Sequence, residues 1–431
     1  MQQKPSLRRT LVLWCGVSLL GTGAAWAQTI SFEQVVANLS STDAQTRYDA
    51  VEGLKLAGYP EAAVPLARVV LDAENAIQRE AIVASLNLYL VRKVVPRGSK
   101  DPLRRPTLVP ARVFAEGPDA LVAAPVPAEL LTALQTAVHD DDAVVGSHAL
   151  WALGTLGELA VGEDRQRFLT AVAPDLADGT RVQDRARRLA VLQVIGRLYA
   201  WQPGDAPVDQ RLGDAVVEAV NDSVVAISRA AVLALGGMRY DRAVAALTAR
   251  VEFYGSQSGA VLPLVALANI GHASSAALFQ SRLASGAIGQ RVAAVEGLVQ
   301  VGTPDAAATI RTALSSAKTP ALVLARDFAE AALGSGPVAP LVAALAKPAL
   351  HEAAAGYVRL VATRRAGDVA EALATARPRD RVTLLSALGY AADRRTAGAV
   401  EAYARDADAM VAQAAARAVA RIGAGTSGVA R

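Results

Sequence analysis

Cysteine, aromatic residues and histidine are all scarce in this 431-residue sequence. Its one cysteine, Cys15, lies in an N-terminal segment with the composition of a secretory leader, in which an uncharged run, 10–24, follows three basic residues. We therefore expect the mature chain to have no disulfide, thiol nucleophile or thiolate metal ligand. Its stability must then come from packing, and an aromatic content of 4% points to a core of small aliphatic side chains.

The leader is predicted to end at Ala27. Ala25 and Ala27 supply the small residues of a cleavage site, so residues 1–27 are interpreted as a signal peptide and the mature protein is expected to be periplasmic or extracellular. The pair Arg8-Arg9 leaves the twin-arginine export route open beside the general one. A poor lipobox around Cys15 argues against a lipid anchor.

A strong excess of one charge is also missing. The leader takes three of the 44 basic residues and none of the 40 acidic ones, which leaves a mature net charge of +1. No global field then recruits nucleic acid or anionic lipid, and nucleic acid is not an expected partner. The uncharged stretch 253–281 contains only a short apolar core with a proline, so we expect a buried helix there and no transmembrane segment after leader cleavage.

No linker rich in serine and glycine divides the chain, whereas internal repetition is clear. The stretches 47–66 and 291–310 agree at ten of twenty positions. The shared template has Arg at its first position, a small apolar residue three positions later, Leu seven positions later and often Gly at position eleven. Its first position recurs at Arg47, Arg79, Gly146, Arg187, Ser228, Ala260, Arg291, Arg326, Ala353, Arg381 and Ala412.

This spacing places the apolar residues of each repeat on one face of an α-helix. In the Arg291 repeat, Leu298 is expected in the core and Glu296 in water. Gly302 can end the helix in a left-handed conformation, after which the Thr303 hydroxyl and Pro304 favour a second helix. A single helical pair cannot bury its apolar face, but stacked pairs can. The sequence therefore predicts an all-α fold, an α-solenoid of about eleven helical hairpins over residues 28–423, followed by a flexible tail, 424–431.

The repeats resemble HEAT-repeat proteins, specifically the short HEAT-like units of the bilin lyases. The resemblance is carried by the two similar stretches above and by VVGSHALWALGTLG (144–157), AISRAAVLALGGM (226–238) and MVAQAAARAVARIG (410–423). It implies the solenoid fold and says little about function, because the repeated residues belong to the core and turns.

Three consecutive repeats are longer than the others, and the extra residues are placed after their first helices, at 91–127, 158–164 and 201–209. Turns at one edge of a solenoid are neighbours in space, so the three segments are expected to form a composite surface for recognition.

The longest segment, 91–127, is rich in proline and is expected to run extended as a basic arm for an acidic protein or anionic glycan. A solvated, partly disordered loop is the alternative. The candidate partner-binding residues are Arg97, Lys100, Arg104, Arg105 and Arg112 of this segment, together with Trp201, for which packing under its own loop is the alternative.

Catalytic patterns are sparse. His351-Glu352 is the one dipeptide of the kind expected in iron-dependent HEAT-repeat hydroxylases, and we interpret it as a polar pair at the start of a helix. His139 followed by Asp140, Asp141 and Asp142 suggests a cation site or an ordinary helix start. We therefore predict a scaffold that binds another protein in the cell envelope and has no cofactor or metal. The alternative is an enzyme or enzyme-maturation factor of the bilin-lyase or metal-hydroxylase type.

Overall fold

The computed structural model describes residues 31–91, 108–334 and 336–424 of the chain. Regular structure within these ranges is helical, and an isolated antiparallel bridge pairs Leu90 with Leu121. The chain divides into two compact units at the boundary between Leu159 and Ala160.

Unit 1 contains seven α-helices within its described residues. The helices are α1 (Phe32–Asn38), α2 (Ala44–Ala57), α3 (Ala63–Val69), α4 (Asn75–Leu88), α5 (Pro110–Glu116), α6 (Ala128–Ala137) and α7 (Ala143–Leu156). Helices α2, α4 and α7 pack side by side, while α3 and α6 form a second layer beside them. These are the stacked hairpins that the repeat predicts.

Unit 2 continues the alternation of long and short helices. Its described helices are α8 (Gly162–Gly179), α9 (Arg185–Leu198), α10 (Gln210–Glu218), α11 (Val225–Met238), α12 (Val244–Tyr254), α13 (Val261–Ile270), α14 (Ala276–Ser285), α15 (Ile288–Val301), α16 (Ala306–Ala313), α17 (Pro320–Leu333), α18 (Ala339–Ala344), α19 (His351–Ala362), α20 (Ala366–Glu371), α21 (Pro378–Ala391), α22 (Ala397–Glu401) and α23 (Ala409–Ala424). The odd-numbered helices from α9 to α23 stack on one another in chain order.

All eleven predicted first helices are present in the described residues, as α2, α4, α7 and the eight odd-numbered helices of unit 2. In seven of these helices, the leucine seven positions into the template is at most 2% exposed. These leucines are Leu54, Leu86, Leu153, Leu235, Leu267, Leu298 and Leu388. This burial confirms the predicted core face and, with the stacking in each unit, the α-solenoid fold class.

The predicted register is wrong by one residue in the Ala353 repeat. Gly356 and Leu360 are only half-buried there, whereas Tyr357 and Val361 are in the core. The helix α19 is shorter than most of the other first helices at twelve residues, and its inward face includes a large aromatic side chain that the template of small residues does not anticipate.

Left-handed residues end several first helices, as predicted for Gly302. Gly302 has a φ of 70° and donates its N–H to the carbonyl of Leu298 at 3.0 Å, and Gly58 and Gly271 end α2 and α13 in the same conformation. The expected hydroxyl cap at Thr303 is wrong, because among the described residues its buried Oγ1 has no hydrogen-bond partner.

A recurring ion pair accounts for several of the arginines near the start of the template. Arginine from one first helix reaches an aspartate just before the next first helix, and the four pairs are Arg47–Asp72 at 2.7 Å, Arg79–Asp142 at 3.7 Å, Arg188–Asp222 at 2.8 Å and Arg381–Asp406 at 3.9 Å. The template residue Arg187 is thus replaced in this role by its neighbour Arg188. These partly buried pairs join successive layers of the solenoid.

Candidate partner-binding surface

Most of the basic residues of the predicted arm lie outside the described residues. They include Arg97, Lys100, Arg104 and Arg105, and the partner role assigned to these four stays a prediction. Arg112 is described, and it is exposed on α5.

The described part of the insertion contradicts the predicted extended course. Residues 110–116 form α5, whose Pro110 at the first turn suits a helix start. The Phe114 ring lies 4.9 Å from that of Trp151 on α7, and Leu121 is fully buried. The Val91 N–H donates to the carbonyl of Ala120 at 2.8 Å. The ring contact, the buried leucine and this hydrogen bond together hold the end of the insertion against the rest of unit 1.

The two later insertions differ from one another. Residues 162–164 of the predicted turn 158–164 lie inside α8, which is extended to 18 residues, so the added length is largely helical. Residues 201–209 form the predicted irregular loop. The loop is fixed to α8 within unit 2, because Arg165 Nε lies 3.2 Å from an Asp205 carboxylate oxygen. Adjacency of all three segments stays a prediction.

Trp201 begins this loop and is half-buried. Its backbone N–H donates to the carbonyl oxygen of Gly237 at 2.8 Å, which holds it beside the end of α11. The guanidinium carbon of Arg239 lies 3.7 Å from the centre of the Trp201 ring system, and the Tyr390 ring of α21 lies 6.3 Å away in an edge-to-face arrangement. Trp201 therefore joins side chains from distant repeats and is more than a cover for its own loop.

Arg239 takes a conformation that is unusual for its residue type. It ends α11 with φ 52° and ψ 43°, at the position where Gly58, Gly271 and Gly302 end other first helices. Ala392, after α21, is the other non-glycine residue with positive φ in the described chain. A side chain in the left-handed region costs about 1–2 kcal/mol, and strain of this kind is concentrated at functional sites.

Two further arginines lie near this group, one of them over the Tyr390 ring. Arg359 of α19 lies with its guanidinium carbon 5.2 Å from the centre of the Tyr390 ring, and Arg364, two residues after α19, donates to the carbonyl of Val299 at 3.2 Å. We name Arg239, Arg359 and Arg364 the arginine cluster, and these residues with Trp201 and Tyr390 the Trp201 surface.

The pKa of Arg239 responds to the neighbouring arginine charges. Burial lowers the pKa of Arg239, and the positive charges of Arg364 and Arg359 lower it further. Loss of hydration also lowers the pKa of Arg364, although guanidinium groups stay charged at neutral pH. Burial raises the pKa of Tyr390, whose neutral hydroxyl leaves the local charge positive.

Neighbouring carboxylates do not neutralise the cluster. Within the described part of the chain, no ion pair joins its three guanidinium groups to a carboxylate. Asp205 is near Tyr390 but is paired with Arg165 and accepts the Gln202 N–H at 2.9 Å. This differs from the layer-joining arginines, each of which has an aspartate partner.

Glu296 corrects the expectation that it faces water. It is half-buried and accepts a 2.7 Å hydrogen bond from the Tyr357 hydroxyl, whose ring stacks 4.2 Å from that of Phe328. Burial raises the pKa of Glu296, while the hydrogen bond from Tyr357 opposes the shift. The reason is tertiary: a side chain of α19 reaches α15 directly, and sequence periodicity within one helix cannot reveal that contact.

The histidine motifs take ordinary structural positions. His351 Nδ1 lies 2.8 Å from the carbonyl oxygen of Leu345 at the start of α19. Asp142 caps α7 by accepting the N–H groups of Val144 and Val145, as the helix-start interpretation predicts. Among the described residues no group of three or more His, Cys, Asp or Glu side chains is arranged to hold a metal ion.

The apolar stretch 253–281 also has a structural role. It contains α13, in which Leu264 and Leu267 are fully buried. None of the helices in the described ranges is long and apolar enough to cross a membrane.

Family comparison agrees with the repeat assignment. Residues 290–316 match the family model described as the PBS lyase HEAT-like repeat. This range contains most of α15 and all of α16, which form the Arg291 hairpin. The predicted resemblance to short HEAT-like repeats is confirmed, and the chain is an all-α solenoid.

Several solved structures are similar to the chain. An engineered protein has 16% identity and a TM-score of 0.42, covering 91% of this chain and 98% of that chain. The complex of CpcE and CpcF of phycocyanin lyase from Nostoc sp. PCC7120 has 18% identity and a TM-score of 0.39, covering 57% and 92%. A designed armadillo repeat protein in complex with peptide (KR)4 has 17% identity and a TM-score of 0.38, covering 55% and 98%. Among curated proteins none matches the sequence.

Proposed function

We propose that the protein is an exported, non-enzymatic scaffold that binds another protein in the cell envelope through the Trp201 surface. The observation that supports this proposal is the meeting of Trp201, Arg239 and Tyr390, which come from separate repeats, at a partly exposed place. Tryptophan, tyrosine and arginine are the residues most enriched among those that dominate protein interfaces.

The architecture favours this role because stacked repeats give an extended framework that holds distant side chains in fixed relative positions. Arg239 keeps its strained backbone where a glycine would end the helix at lower cost, which fits selection for its side chain. The basic residues Arg97, Lys100, Arg104, Arg105 and Arg112 are proposed as a second contact for an acidic partner.

Site-specific photo-crosslinking in the native envelope tests this function. A photoreactive residue at Pro207 or Thr363, two exposed positions close in sequence to members of the Trp201 surface, should capture one protein. The matched control position is Arg311, whose side chain is 64% exposed on the second helix α16. The captured scaffold should begin at Gln28 if the leader is removed after Ala27.

Trp201→Ala should reduce the crosslinks from Pro207 and Thr363, because it removes the ring on which Arg239 rests. Absence of any crosslinked protein from both positions, or equal capture from Arg311, would contradict a binding role for this surface.

A further inference from the structure

We propose that the arginine cluster binds the carboxylate side chains of an acidic peptide segment in the partner protein. This inference deepens the proposed scaffold function and rests on it. It is carried by the guanidinium groups of Arg239 and Arg359, which lie beside two adjoining aromatic rings, together with the nearby charge of Arg364; none of the three has a carboxylate partner in the described chain.

The first step in the argument is the energetic cost of the arrangement. Arg239 is half-buried in a left-handed conformation, and its charge is near those of Arg359 and Arg364. Strain, lost hydration and like-charge repulsion all oppose this arrangement, and the contact between Arg239 and Trp201 offsets them in part. An anion bound among the three guanidinium groups would remove the repulsion.

The second step is the geometry that the cluster offers to a ligand. Arg239 lies against the Trp201 ring and Arg359 against the Tyr390 ring, so both guanidinium planes are restrained by aromatic neighbours. A restrained guanidinium can present paired N–H donors to the two oxygens of a carboxylate. Trp201 and Tyr390 meet edge to face between them and supply apolar area for the methylene groups of Glu or Asp.

The third step concerns the class of ligand. Peptide carboxylates suit the cluster better than a nucleic acid backbone, because the mature chain is nearly neutral as a whole and the positive charge is local. A segment with several acidic side chains can contact all three arginines at once.

Fluorescence polarisation with a labelled peptide of alternating Glu and Ser tests the inference on the full mature chain. The wild type should bind this peptide more weakly as salt is added, and it should not bind the corresponding peptide of Gln and Ser. Inorganic phosphate, as unlabelled competitor, should displace the Glu peptide poorly.

Arg239→Gly should weaken peptide binding by about tenfold to a hundredfold, the loss expected for a hydrogen-bonded charge. Because glycine prefers the left-handed position, this variant should fold at least as well as the wild type. The matched control is Ala392→Gly, which makes the same backbone change after α21 and removes no charge. Its peptide affinity should equal that of the wild type.

Arg359→Gln and Arg364→Gln should each weaken binding in the same direction. Three results would overturn the inference. They are equal affinity for the Glu and Gln peptides, stronger competition by phosphate than by unlabelled Glu peptide, and undiminished peptide binding by Arg239→Gly. If photo-crosslinking captures a partner but the wild type does not bind the Glu peptide, the scaffold function stands and the inference of an acidic peptide ligand is wrong. If crosslinking captures nothing, the scaffold function itself fails.

Discussion

Single residues show where the repeat pattern is modified for purposes other than packing. Glu52 and Glu296 occupy the same template position, yet Glu52 bonds to Lys55 in its own helix while Glu296 accepts from Tyr357 in a different repeat. Arg239 similarly replaces glycine at a helix end. Glu296 contacts α19, beyond the adjacent first helix α17, and Arg239 lies on the Trp201 ring of the loop after α9.

Glu296 should make stability depend on pH. Burial raises its pKa above the ordinary value of 4.5, so its contribution to folding is fully present below that value and is lost as pH rises through the raised pKa. Glu296→Gln keeps an acceptor for Tyr357 without the charge. The urea midpoint of Glu296→Gln minus that of the wild type should therefore become more positive as the pH is raised from about 4 to about 8.

The control for this measurement is Glu352→Gln, an exposed change at the start of α19. Its difference from the wild type should vary less with pH than that of Glu296→Gln. A difference between Glu296→Gln and the wild type that stays constant over the same range would mean that Glu296 is hydrated in the folded protein.

At the scale of elements, the ends of the first helices offer a matched pair of backbone tests. Gly302 has a φ of 70°, and no neighbouring atom lies within 4 Å of the place that a Cβ would take, so Gly302→Ala would add conformational strain without a clash. Ala392 has a φ of 52° at the equivalent position after α21. We expect Gly302→Ala to destabilise and Ala392→Gly to stabilise the protein, each by about 1 kcal/mol.

Thermal and urea unfolding of the two variants would check this expectation. Changes of the same sign in both variants would show that the left-handed ends are not equivalent. Because Ala392→Gly is also the control for peptide binding, its stability must be known before the affinities are compared.

Local patterns explain why the elements are predictable. Each first helix repeats the same spacing of buried residues, so Leu54 and Leu298 can be placed in the core without knowledge of their neighbours. Gly58 and Gly302 mark turns through their own conformational freedom. The folded end of the insertion is not predictable in this way, because its helix α5 depends on the contact between Phe114 and Trp151, which no local pattern contains.

At the scale of the whole molecule, the candidate site depends on contacts between distant parts of unit 2. Trp201 is a candidate from its place in a long loop, but its contact with Tyr390 joins residues far apart in the sequence, and no local pattern contains that contact. The sequence does mark Arg239 as unusual, because an arginine stands where other first helices end in glycine. No comparable feature of the sequence marks Arg359 or Arg364.

The central claim is that separate repeats form one partner-binding surface. Hydrogen–deuterium exchange of the mature chain, with and without the partner captured by crosslinking, tests this claim most directly. Binding should slow exchange together in the segments around Trp201, Arg239 and Tyr390, and leave α16 unchanged. Protection confined to one of these segments, or located on α16 and the other second helices, would contradict the account.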